Sequence, residues 1–293
     1  MPHPALPRIE TGLVAAQAAL VQGDLGQAHA ALFGTLDALA EVTREGLVPR
    51  QDRPPQPWHE ESARQLVWQL LAQLHGEGCH VFPYAGTLLG LERDARLLPN
   101  DKDADFAVWL EDFSLAGRLL LQWGLQRATD VPPFANVATF VEPRTGYSVD
   151  LFGLHRNPAL QRIEGGAWLV QRPPSHQRVL LLPWFDLEAR TGPAGPVWWP
   201  AQPHRLLEAF YGDWRAPQPE WDSQISNRAL QEVNLSWHCW ALKALCHSWL
   251  AGDLARTCRL LEQALVRAGD EPHWLAWRDA LDTGLRLLPP HRR

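Results

Sequence analysis

Between residues 8 and 46, apolar residues and alanines recur at helical spacing on both sides of "QGDLGQ". That spacing predicts two helices turning at Gly23-Asp24. Residues 47–58, "LVPRQDRPPQPW", lose the periodicity and are rich in proline, which predicts a connector and a domain boundary. A helix is predicted over 60–75, "EESARQLVWQLLAQLH", stopping at Gly76. The period then changes. "CHVFPYAG" predicts a strand, "TLLGLER" a helical turn, "ADFAVWL" a second strand and "FSLAGRLLLQWGLQ" a helix. "VATFVEP" and "YSVDLFGL" predict a hairpin closed by "RTG", and "AWLVQR" and "RVLLLPWF" predict further strands. From about residue 203 the helical period returns. It covers "HRLLEAFYG", a helical pair turning at Gly252-Asp253, and a last helix through "PHWLAWRDALDTGLRLL".

Mixed strands after a leading helix predict an α+β core built on one mixed sheet with helices on one side, flanked by N- and C-terminal helical hairpins. The expected divisions are a hairpin over 1–50, a sheet domain over 59–222 and a helical region over 223–293. "ALVQGDLGQAHAAL" and "SWLAGDLARTCRLL" share a helix–Gly-Asp-Leu–helix plan that resembles a tetratricopeptide hairpin, but two distant copies make no repeat array. These hairpins either brace the sheet domain or offer a surface to a protein partner.

Composition narrows the classes. The chain has 293 residues, a formal charge of −6 and no basic block before its short "HRR" tail. That argues against a nucleic-acid partner held through phosphate contacts, though not against a nucleotide-sized ligand. No run reaches the roughly 20 apolar residues needed to cross a bilayer, so no membrane span is expected. Glu10, Gln17 and Gln22 interrupt the apolar stretch near the start, which reads as an amphipathic helix rather than a secretory leader, and the expected compartment is the cytoplasm. Cys79, Cys239, Cys246 and Cys258 include no C-x-x-C pair. His238, Cys239, Cys246 and His247 lie in an apolar helical run at spacings unlike metal pairs, so buried thiols are expected rather than zinc. With 15 tryptophans, most must serve packing.

The chemistry concentrates in "PNDKDADFAVW". Alternate strand residues share a face, so Asp103 and Asp105 project together while Ala104 and Phe106 face the core. Asp101 leans over the same place; Lys102 points away or reaches toward an anion. Converging carboxylates suit a hard cation, Mg²⁺ (or Mn²⁺), which favours a few carboxylates plus substrate phosphate oxygens. A merely solvated acidic turn is the plain alternative. Two contexts favour the cation. In "YAGTLLG", Gly86 permits close backbone approach, and the Thr87 hydroxyl with free helix N-terminal N–H groups can hold phosphate. In "YSVDLFG", Asp150 interrupts an apolar strand, which is costly unless the carboxylate is paired or metal-bound.

"GTLLGLERDARLLPNDKDADFAVW" closely resembles the signature of the LicD/fukutin-type transferases, a branch of the nucleotidyltransferase fold. Gly86, Thr87, Gly90, Arg93, Pro99, Asp101, Asp103 and Asp105 fall on that signature without a gap. "VDLFGL" resembles the family's strand with the third acidic residue, and "LLEAFYGDWRAP" its closing element, so the resemblance spans about residues 60 to 220. Asn100, Lys102 and Asp94 depart from the residues many members carry, and Lys102 leaves the donor's identity open.

The resemblance implies transfer of a phospho-alcohol, such as phosphocholine or a polyol phosphate, from a CDP-linked donor to a glycan or related hydroxyl acceptor. It implies that Asp103 and Asp105, with Asp101 and Asp150 as further candidates, hold the metal against the diphosphate. Gly86 and Thr87 would cradle phosphate, with Arg93 and Lys102 as donor-side cations. Asp150 would be a third ligand or the general base. Arg93 is equally readable as an ion-pair partner of Asp94 or Glu92, and Tyr211 and Trp214 as packing anchors. Two alternatives stand beside this reading: a nucleotidyltransferase that attaches the nucleoside monophosphate itself, and a non-catalytic scaffold that kept the fold.

Overall fold

The computed structural model describes residues 3–50, 60–99, 101, 103–269 and 271–287. Most of the proline-rich connector, together with Asn100 and Lys102, lies outside them. The fold is α+β on a mixed sheet. Two helices, α1 (Ala5–Val21) and α2 (Leu25–Arg44), open the chain, and α3 (Glu60–Gly76) leads into the sheet. There β1 (Val81–Pro83), α4 (Ala85–Asp94), β2 (Asp103–Trp109) and α5 (Phe113–Gln122) follow in order. Next come β3 (Gln126–Arg127), β4 (Val137–Val141), β5 (Ser148–Asn157), β6 (Arg162–Ala167) and β7 (Arg178–Pro183). The hairpin β8 (Leu187–Gly192) and β9 (Gly195–Pro200) is a separate ribbon. The periodicity does not foretell it, because its polar strand and its Trp198-Trp199 strand share no repeating pattern.

The main sheet runs β1-β2-β5-β4-β3, and β6 joins β5 to β7. Strands β2 and β5 are parallel; the other pairs are antiparallel. Central position explains their composition. Phe106, Ala107, Val108, Val149, Leu151 and Leu154 are fully buried, and a strand covered on both faces reads as a continuous apolar run. Strand β5 changes partners along its length. Its first half lies between β2 and β4, and His155–Asn157 pair with β6.

After α6 (Pro203–Tyr211), an irregular stretch leads to α7 (Leu235–Leu250), α8 (Leu254–Ala268) and α9 (Pro272–Leu287). The two terminal helical regions pack on each other rather than flanking the sheet separately: α2 lies against α7 and α9. Trp249 Nε1 donates to Thr43 Oγ1 at 2.9 Å, and Trp277 Nε1 donates to Asp37 Oδ1 at 2.7 Å. All four cysteines are buried free thiols, and Cys239 donates to the Leu25 carbonyl. Among the described residues, no helix is long and apolar enough to cross a membrane.

Candidate active site

The register of β2 and β5 assembles the site. Asp105 sits directly opposite Asp150, and Asp103 opposite Ser148. In a parallel pair, opposed residues point to the same face, so Asp103, Asp105 and Asp150 share one face while Ala104, Phe106, Val149 and Leu151 fill the other. That acidic face, with Asp101, forms part of the wall of a cleft of about 870 Å³. Gly86 and Arg93 also line the cleft, and Tyr84, Phe210, Tyr211 and Trp214 supply its aromatic walls.

The turn from β1 into α4 holds the carboxylates close to a helix start. Ala85 adopts a φ of 38°, in the left-handed region that a non-glycine residue rarely occupies. Beyond it, the Gly86 N–H donates to Asp105 Oδ2 at 2.9 Å. A methyl group on Gly86 would stand 3.1 Å from Asp105 Oδ2 and 3.4 Å from Asp101 Oδ2, so the absent side chain makes room for both carboxylates. Thr87 is fully buried, and its hydroxyl accepts the Asp105 N–H at 2.8 Å. In this position Thr87 braces the strand that carries the carboxylates, and the Gly86 N–H is engaged by a carboxylate. Gly90 has a packing reason of its own. A Cβ there would meet the Arg96 carbonyl oxygen at 2.6 Å and the Leu98 nitrogen at 2.9 Å, both backbone atoms that cannot easily yield.

The electrostatics are those of a concentrated negative charge. Burial drives the Asp105 carboxyl well above its ordinary range, and the charges of Asp103, Asp150 and Asp101 push the same way against the Gly86 hydrogen bond. Burial likewise lifts Asp150 to about 6, opposed by the hydrogen bond from the Thr139 hydroxyl, which donates to Oδ1 at 2.6 Å. An all-oxygen acidic set of this kind has the chemistry for Mg²⁺ or Mn²⁺. The side chains do not form a finished cage. Among the described residues, no group of three or more His, Cys, Asp or Glu side chains is arranged to hold a metal ion as it stands. Asp105 and Asp150 each give an oxygen to a protein donor instead. Mg²⁺ commonly takes one or two carboxylates and completes its shell with water and substrate phosphate. The set therefore fits a substrate-shared ion rather than a permanently caged one.

Arg93 lines the cleft, but its Nη2 pairs with Asp94 Oδ2 at 3.0 Å, the ion-pair reading, while Glu92 pairs with Arg190. Tyr211 and Trp214 are mostly buried and face the cleft as well as packing. Sequence reasoning missed Tyr84, Arg178 and Trp221, which line the same cleft. The one signal for Arg178 was a cation standing directly before the apolar run "VLLLP".

No protein-family model matches the chain, and no curated protein sequence matches it. The LicD/fukutin-type resemblance is therefore carried by its motifs alone. Among solved structures, the chain is similar to the lincosamide antibiotic adenylyltransferase LnuA with lincomycin bound. The two share 9% identity over 49% of this chain and 83% of that one, at a TM-score of 0.36. The functional reading rests on the residues of the cleft.

Proposed function

We propose that the cleft is the active site of a metal-dependent, LicD/fukutin-type transferase. It moves a phospho-alcohol from a CDP-activated donor to the hydroxyl of a glycan or related acceptor. The observation that carries this reading is the in-register pair Asp105–Asp150, with Asp103 on the same face of the same strand, opening on a cleft of substrate size. Asp103 and Asp105, with Asp101 beside them, would hold Mg²⁺ or Mn²⁺. The ion, when bound, neutralises charge on the donor's diphosphate. Phosphoryl-type transfer asks mainly for positioning and charge neutralisation, which such a face supplies.

Asp150 is the group best suited to the acceptor's proton. It shares the cleft face with Asp103 and Asp105, and its burial raises its affinity for a proton, as a base requires. The acceptor oxygen forms a bond to phosphorus, the phosphorus–oxygen bond to CMP breaks, and the hydroxyl proton passes to Asp150. Thr139, hydrogen-bonded to Asp150, fixes that carboxylate's orientation.

A thermal-shift screen of CDP-linked metabolites, with and without Mg²⁺, tests the proposal on the native chain and on Asp103→Ala. The expected result is a metal-dependent ligand shift in the native chain that the variant loses. Equal shifts in both proteins would overturn the reading. If a ligand is found, product mass separates phospho-alcohol transfer from nucleotidyl transfer, since only the latter leaves a nucleotide on the acceptor.

A further inference from the structure

The cleft has a second pole. Arg178, at the start of β7, lines it together with Tyr84 and Trp221, and none of the three was needed to account for the carboxylate face. Each brings a sealed donor without a protein partner: Arg178 Nε, the Tyr84 hydroxyl and Trp221 Nε1. Tyr84 is only 2% exposed. A buried donor left unpaired costs about 1–3 kcal/mol, so three around one cleft call for an explanation.

The environment of Arg178 is unusual for a guanidinium. Its Nη2 donates to the Ser223 carbonyl at 2.5 Å, and among the described residues it makes no ion pair. The charges acting on it are those of Tyr84, Asp222 and Arg267, and burial lowers its pKa to about 10, which leaves it cationic at neutral pH. Tyr84 stands between the poles, since both Arg178 and Asp105 act on its hydroxyl. That hydroxyl reaches toward β6: a methyl group on Gly165 would come within 3.3 Å of it. Beside it, Gly166 takes a φ of 108° and lies so close to the Arg178 carbonyl that a Cβ would collide with it. The backbone at Gly166 thus packs tightly against the residue that carries the guanidinium.

A guanidinium with an unpartnered Nε–H, a phenol and an indole N–H make a donor set for an oxyanion, and arginine suits phosphate and carboxylate. We propose that Arg178, with Tyr84 reaching it from the aspartate side and Trp221 beside it, forms an oxyanion subsite in the same cleft, and that the acceptor is an anionic hydroxyl compound whose phosphate or carboxylate is anchored there. This deepens the transfer reading, and rests on it only for naming the ligand as the acceptor. The repulsion of the aspartates gives the arrangement polarity: an anionic group is held at Arg178 and kept from the carboxylate face, leaving the compound's hydroxyl end to approach Asp150.

The test uses inorganic phosphate and acetate as probes, titrated in metal-free buffer with EDTA and followed by thermal shift and calorimetry. The native chain is expected to be stabilised by one of them, phosphate indicating a phosphorylated acceptor and acetate a carboxylate. Arg178→Met is expected to weaken that binding by about tenfold or more, as loss of a charge-assisted pair does. Trp221→Phe, which keeps an aromatic ring but removes the N–H, is expected to weaken it by about two- to fivefold, and it answers the question independently if Arg178→Met melts early. No stabilisation of the native chain by either probe would overturn the subsite, as would undiminished binding in folded Arg178→Met or Trp221→Phe. Because these measurements exclude divalent ions, their outcome is independent of the Mg²⁺ response of Asp103→Ala, and either proposal can fail without the other.

Discussion

The helical body and the cleft use aspartate in opposite ways. Asp24 and Asp253 each follow a glycine with positive φ, cap the next helix, and accept the N–H three residues on at 3.0 and 2.9 Å. Each charge sits at a helix N-terminus, where free N–H groups and the helix dipole favour it. Asp105 and Asp150, by contrast, lie opposite one another between buried strands, where burial and neighbouring acids favour the protonated form. The same side chain stabilises the first region and strains the second. Unrelieved strain of that kind gathers where a ligand is meant to relieve it.

The comparison can be broken from either side. The largest effect belongs to the helical body: Trp277→Ala, removing a buried ring and its hydrogen bond to Asp37, should cost about 3–5 kcal/mol in denaturant unfolding. A cost under 1 kcal/mol would mean the terminal helices are not one cooperative body with the rest. Next, Asp24→Ala and Asp253→Ala should each cost about 0.5–2 kcal/mol, the usual value of a helix cap.

Asp105→Asn should do the reverse. The amide can still accept the Gly86 N–H but carries no charge, so without divalent ions the variant should melt higher, by about 2–4 °C for each kcal/mol of repulsion removed. A lower melting temperature would show that the acidic face is internally balanced and needs no cation. Smallest is a pH effect in the helical body. His29 and His238 meet edge to face at 6.0 Å, and burial lowers both pKa values, helped at His29 by the charge of His238. The fold therefore binds fewer protons than the unfolded chain just below the ordinary value of 6.5. Stability present above that pH should decline as pH falls through it, by about 1–3 °C in melting temperature. His238→Gln should flatten the decline, and an unchanged profile would place its origin elsewhere.

How legible the molecule was depends on the range of the forces involved. Helices α1 to α3 and strands β2, β4 and β5 follow from local periodicity, and the Asp103/Asp105 face follows from strand alternation alone. Placing Asp150 opposite Asp105 needed strand pairing, which the apolar runs implied without fixing its register. The bonds that Gly86 and Thr87 make were not legible, because they go to the carboxylate and the backbone N–H of Asp105, 19 and 18 residues away. Trp221 was invisible, and Arg178 nearly so, for a stronger version of that reason. They reach the cleft through the β6–β7 pairing and an irregular stretch with no period to read.

Strand β5 has a mechanical consequence. Its ten residues carry Asp150 in one ribbon and, without an intervening loop, pair with β6, which holds the strand bearing Arg178. A load applied at the cationic end therefore travels along continuous, hydrogen-bonded backbone to the acidic end. On the proposed reading, the anchor for the acceptor and the carboxylate that meets its hydroxyl share one unbroken framework, which fixes their spacing without any hinge between them.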